Sequence, residues 1–177
     1  MSQVTYTIDA AHSTVGFKVR HLMVSNVRGE FSGMAGTVAF DAENPANSRV
    51  DATIDVNTLH TRDEQRDGHL KSADFFDVAK FPSITFVSSK ITKAGEGDWK
   101  VTGDLTIHGV TKQVVLDVEG PAAEAKDPWG NIKSGATATT KINRTEFGLV
   151  WNAALETGGV LVGEDVQITL ELELLKK

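Results

Sequence analysis

The chain has 177 residues, 40% of them hydrophobic and 24% charged, with a formal net charge of −6 and no cysteine. These values suit a globular chain with a real core and exclude disorder, collagen and coiled coil. Lack of cysteine rules out disulfides, zinc fingers, iron–sulfur clusters and thiol chemistry, and an acidic chain without a Lys/Arg run is a poor nucleic-acid binder.

The first residues, Met-Ser-Gln-Val-Thr-Tyr-Thr-Ile-Asp, have no basic and no apolar segment. No signal peptide is expected, which places the chain in the cytoplasm as it stands, or in the periplasm if it is a processed form. No apolar run is long enough to span a membrane. Strands are predicted near 3–8, 14–22, 27–40 (broken at Gly33 or Gly36), 49–57, 83–92, 98–108, 112–120, 132–143 and 164–175. Their signal is strict alternation, as in Val166, Ile168, Leu170, Leu172 and Leu174 against Gln167, Thr169, Glu171 and Glu173, which marks strands wet on one face. Asp9-Ala-Ala-His-Ser13 reads as a turn in which Asp9 or Ser13 binds nearby amides. Thr61-Arg-Asp-Glu64 has the form of a capping box opening a polar helix over 62–73, with Asp74-Phe75-Phe76 as the turn that follows. Residues 144–163 form a second irregular stretch, a helical turn or a loop.

So many strands with short turns and no βαβ rhythm predict an all-β fold of one domain spanning 1–177, an antiparallel barrel in preference to a sandwich, because closure removes edges. Parity puts Val15, Phe17, Val19 and His21 on the inner face, followed by Val38, Phe40, Ile54, Val56, Ile84 and Phe86. Val101, Gly103, Leu105, Ile107, Leu116, Ala136, Ala138, Ile142, Ile168 and Leu170 complete the set. Small inward residues leave room for a ligand, although tapering barrels also alternate small and large, so a filled core stays open.

Five histidines (His12, His21, His60, His69 and His108) show no zinc-binding spacing, and no metal is expected. Asp9/His12 and Asp67/His69 each offer only two ligands. Asp9, His12 and Ser13 are too close in sequence for a catalytic triad, and no nucleophile elbow or phosphate-binding glycine loop is present. The charged helix residues Arg62, Asp63, Arg66, Asp67, His69 and Lys71 read as a solvated face, or as a mouth whose Arg or His meets an anionic ligand head. His21 lies on an apolar face and needs a partner, a ligand or water.

Several blocks, taken in order, resemble a known family: Asp9-Ala-Ala-His-Ser-Thr-Val-Gly-Phe-Lys-Val-Arg-His21, Val27-Arg-Gly-Glu-Phe31, Thr61, Arg66-Asp-Gly-His-Leu-Lys-Ser-Ala-Asp-Phe-Phe76, Phe81-Pro-Ser-Ile-Thr-Phe86, Gly103-Asp-Leu-Thr-Ile-His-Gly-Val-Thr-Lys112, Asn143-Arg144 with Phe147-Gly148, and Val162-Gly-Glu-Asp-Val166. The chain resembles the YceI-like family of polyisoprenoid-binding, lipocalin-like proteins. The resemblance implies an extended eight-stranded antiparallel barrel and a long-chain amphiphile as ligand: a polyisoprenoid, an isoprenoid quinone or a fatty acyl derivative. It implies a homodimer, no catalytic residues and no cofactor besides the bound lipid. Combined with parity, it assigns an apolar site to Phe17, Val19, Val38, Phe40, Ile54, Phe75, Phe76 and Ile84, continued by Phe86, Leu105, Ile107, Leu116, Ile142, Phe147, Trp151 and Leu170. His21, Arg66 and His69 are the candidate contacts for the polar head. Two other readings compete: an enzyme acting on that lipid through His21, His69 or Asp67, and a ligand-free structural or stress protein.

Overall fold

The computed structural model describes residues 3–177. Twelve strands form one antiparallel sheet: β1 (Val4–Ile8), β2 (Thr14–His21), β3 (Ser25–Phe31), β4 (Met34–Phe40), β5 (Arg49–Asp55), β6 (Leu59–His60), β7 (Ser83–Gly95), β8 (Asp98–Ile107), β9 (Val110–Glu119), β10 (Ala125–Lys126), β11 (Ile132–Asn143) and β12 (Val162–Lys176). Among the described residues there is one α-helix, α1 (Glu64–Lys71), between β6 and β7.

Three pairs of these strands are segments of longer ones. β1 and β2 follow one another along the same edge of β12, at Leu174–Lys176 and Val162–Glu171. β4 pairs with β1 while β3 pairs with β2, and β5 pairs with β4 while β6 pairs with β3. Taken as β1/β2, β3/β4 and β5/β6, then β7, β8, β9, β11 and β12, the order is an up-and-down barrel of eight strands, closed where β11 meets β12 from Lys133–Leu175 to Asn143–Asp165. Closure leaves few backbone edges to satisfy. The predicted strand over 27–40 breaks at Gly33, and that over 49–57 ends at Asp55.

The breaks share one level of the barrel, and side chains bridge them. Ser13 Oγ accepts the Glu173 N–H at 3.0 Å, and Thr58 Oγ1 accepts the Gly33 N–H at 3.0 Å. Asp9 accepts the Ala11 N–H within the predicted turn. Val56, expected to face inward on a strand, instead starts a 3-10 turn (Val56–Thr58) and packs into the core with 1% exposure.

The helix starts later than predicted. Its N-cap is Asp63, whose carboxylate accepts the Arg66 N–H at 3.1 Å, so Thr61 is not the cap of a capping box. Thr61 is buried instead: its N–H and Oγ1–H both donate to Asp67 Oδ1, and it accepts Arg66 Nε–H at 2.8 Å. A polar residue removed from water needs these partners.

Candidate functional site

Inside the barrel runs a cavity of about 580 Å³, within the range of small-molecule sites. Its walls are the inward parity set. Val19, Val38, Ile54, Leu116 and Leu170 all line it and remain half-buried although each points into a closed barrel. That residual exposure is exposure to the hollow. Ile84, Phe86, Leu105, Ile107 and Ile142 also line it, under fuller cover. Room comes from Ala52, Ala136 and Ala138, which are lining residues. Gly103 contributes none: a Cβ there would meet Phe86 Cζ at 2.5 Å and Val87 O at 2.6 Å, so its space is already taken by the Phe86 ring.

At one end, Phe40 and Trp99 pack edge to face with centroids 4.9 Å apart, and Trp99 Nε1–H donates to Gly120 O at 2.8 Å. The indole thus closes the floor with its polar atom satisfied. Polar groups gather at the other end, around α1, the end of β2 and the 144–163 segment. There His69 stands edge-on to Phe75 (5.1 Å) and to Trp151 (4.7 Å), and Phe75 lies 5.4 Å from Trp151. Phe76 packs edge-on against Phe31 at 5.8 Å, and Phe17 lies 5.7 Å beyond it. Phe75, Phe76 and Trp151, assigned to the apolar site from the sequence, all line it.

The head-contact candidates His21, Arg66 and His69 also line the cavity. Arg66 is held from one side, Nε on Thr61 Oγ1 and Nη2 on Thr61 O at 2.6 Å. His69 Nε2 sits 2.9 Å from Asp74 Oδ2. The carboxylate beside His69 is therefore Asp74, while Asp67, one of the residues considered for an enzyme, is engaged by Thr61.

One predicted residue falls elsewhere. Phe147 is 1% exposed and does not line the cavity. It ends a 3-10 turn (Arg144–Phe147) that breaks the alternation of β11 and turns the ring into the packed core. Arg144 was missed, although parity reaches it: Ala136, Ala138, Thr140, Ile142 and Arg144 fall on one face, and all five line the cavity. Arg144 is 4% exposed. Its guanidinium donates to four backbone carbonyls, of Leu149 (2.6 Å), Trp151 (3.0 Å), Val162 (3.2 Å) and Gly163 (2.8 Å), and sits 5.9 Å from the Phe75 centroid. Burial lowers its pKa, with Glu164 opposing.

Outside the barrel, Asp9, His12 and Glu173 place their ligand atoms within 4.8 Å of one another. Lys133 Nζ already stands 2.9 Å from Asp9 and 3.6 Å from Glu173, supplying the positive charge. Lys133, then His12, hold the Asp9 carboxyl at a pKa of about 2. Near the floor, burial and the Glu124 carboxylate push the Tyr6 hydroxyl up to about 12.

A model of the YceI-like domain family matches residues 6–174. A UPF0312 protein of Staphylococcus aureus (strain USA300) is 39% identical over 168 residues, 95% of each chain. Among solved structures, Burkholderia cenocepacia BcnA superposes with a TM-score of 0.79 at 28% identity, covering 94% of this chain and 98% of its own. A Campylobacter jejuni YceI protein gives 0.73 at 34% identity, covering 89% and 90%. A polyisoprenoid-binding domain from Saccharophagus degradans shares the fold, with a TM-score of 0.69 at 16% identity over 97% of this chain and 98% of that one.

Proposed function

The chain belongs to the YceI-like family, and from that premise we propose that it is a non-catalytic binding protein that holds a long-chain amphiphile in the barrel. The ligand is a polyisoprenoid, an isoprenoid quinone or a fatty acyl derivative, carried for transport, storage or scavenging. The observation that carries this reading is the cavity of about 580 Å³, apolar along its length with its charged groups at one mouth. An amphiphile has that same division. The naming of the Saccharophagus domain as polyisoprenoid-binding supports the choice of ligand class.

The energetics suit such a ligand. Each buried methylene contributes about 0.8 kcal/mol, so a chain of about 20 carbons gains roughly 16 kcal/mol before the loss of its own freedom is subtracted. Few polar contacts are then needed.

Solvent extraction and mass spectrometry of the purified chain test the proposal, together with titration of delipidated protein. Trp99 and Trp151 line the cavity while Trp129 is 83% exposed, so a Trp129→Phe variant reports on the cavity by its own fluorescence. A recovered lipid near one per chain, or a saturable change in fluorescence on adding a long-chain amphiphile, is the expected result. No lipid recovered and no saturable response to any long-chain compound would reject the proposal. The same family membership leads us to propose a homodimer, which sedimentation of the purified chain checks.

A further inference from the structure

The chain carries a net charge of −6, yet its cavity is lined by the opposite sign. The charged lining residues are Arg20, Arg66 and Arg144 against one carboxylate, Asp63. That carboxylate already caps α1 by accepting the Arg66 N–H. With histidines neutral, the lining is three positive and one negative, a surplus of two, in a molecule whose average runs the other way.

Two of the three cations are set for use. Arg144 is 4% exposed and has no ion-pair partner among the described residues; its acceptors are neutral carbonyls. Its one carboxylate influence is that of Glu164, which makes no ion pair with it, and a buried charge hydrogen-bonded to neutral carbonyls attracts a counter-ion, because little solvent screens it. Arg66 is fixed through Nε and Nη2 on Thr61, and its Nη1 has no acceptor among the described residues. A guanidinium held along one side is preorganised to present its remaining donors to a planar or tetrahedral oxyanion.

We propose that the preferred ligand of this cavity is an amphiphile with an anionic head, a carboxylate or a phosphate, seated at the mouth between Arg66 and Arg144 with Arg20 at the rim. The proposal rests on the lipid-binding reading above and narrows it: neutral quinones, alcohols and amides become the weaker ligands.

The test is a set of chain-matched probes, stearic acid, stearyl phosphate, stearyl alcohol and stearamide, titrated into delipidated protein at about pH 8, where the acid is ionised. The acid, the phosphate or both should bind at least about tenfold more tightly than the alcohol and the amide, as charge-assisted hydrogen bonds require. Which of the two is tighter tells a fatty-acid head from a phosphate head. Arg66→Gln should lower the affinity for the anionic probes about tenfold, leave the alcohol unchanged, and be restored in large part by Arg66→Lys. Arg20→Gln should act in the same direction with a smaller effect. Equal affinities for all four probes, or an Arg66→Gln loss shared equally by the alcohol, overturns the anionic head while leaving a lipid-binding barrel. If none of the four binds while a neutral polyisoprenoid or quinone does, the anionic head is overturned and the lipid-binding barrel stands; if no long-chain compound binds at all, the lipid-binding reading falls and the narrower proposal with it.

Discussion

Replacing Arg144 by methionine keeps an unbranched apolar stem and deletes the donors. Four carbonyls then lose a partner. One of them, Val162 O, keeps a hydrogen bond from Asn152 Nδ2 at 2.7 Å, which leaves three without that support. An orphaned buried acceptor costs about 1–3 kcal/mol, and partial hydration of the freed segment returns some of the sum. A net loss of about 3–5 kcal/mol is expected, comparable to breaking other buried charged networks. For a domain of this size 1 kcal/mol moves the melting temperature by about 2–4 °C, so the variant should melt roughly 6–20 °C lower. Circular dichroism at fixed pH reads this directly. Arg144→Lys should recover less than half of it, because a single ammonium cannot span carbonyls on both sides of the 148–163 segment. A melting temperature of Arg144→Met within about 2 °C of the parent would show that Arg144 does not hold that segment, and the account of the mouth built on it would fail.

Two further outcomes test other parts of the molecule. Ile107 lines the cavity, whereas its neighbour Thr106 bonds Thr111 on the outer face; Ile107→Trp should weaken binding of a long-chain probe with near-normal melting, and Thr106→Trp should change binding little. The opposite result would put the strand register off by one. The Asp9 pKa, lowered to about 2 from an ordinary 3.8, makes a stabilising contribution that is complete above the unfolded value. It is lost as pH falls from about 4 to about 2, and amounts to about 2 kcal/mol. Thermal melts across that range should show a steeper acid loss for the parent than for Asp9→Asn, and parallel slopes would refute the assignment.

Alternation carried most of the fold. Nearly every residue that parity placed inward lies on the cavity wall, because a closed barrel with a hollow interior obeys period two along each strand. Parity fails wherever the backbone leaves that period. Val56 and Phe147 sit on 3-10 turns, where the next side chain is not opposite the last. Thr61 showed the spacing of a cap, yet Asp63 took the role while Thr61 was drawn inward to hold Arg66 and Asp67. Both residue types suit an N-cap, and only tertiary packing decides between them. Gly103 illustrates the limit of composition: its missing side chain is filled by Phe86 from the neighbouring strand, which no single strand reveals. Arg144 was legible by parity but sat past the end of the expected strand.

The interruptions at Ala10–His12, Gly33 and Val56–Thr58 lie side by side across three adjoining staves of the barrel. A ladder is interrupted where its rungs are missing, and at these breaks the hydroxyls of Ser13 and Thr58 stand in for backbone carbonyls as acceptors. This wall is therefore creased at mid-height. Toward the Trp99 floor β1, β4 and β5 pair in one ladder, and toward the rim β2, β3 and β6 pair in another. The rim and the foot of this wall are therefore tied into the barrel by separate sets of backbone bonds.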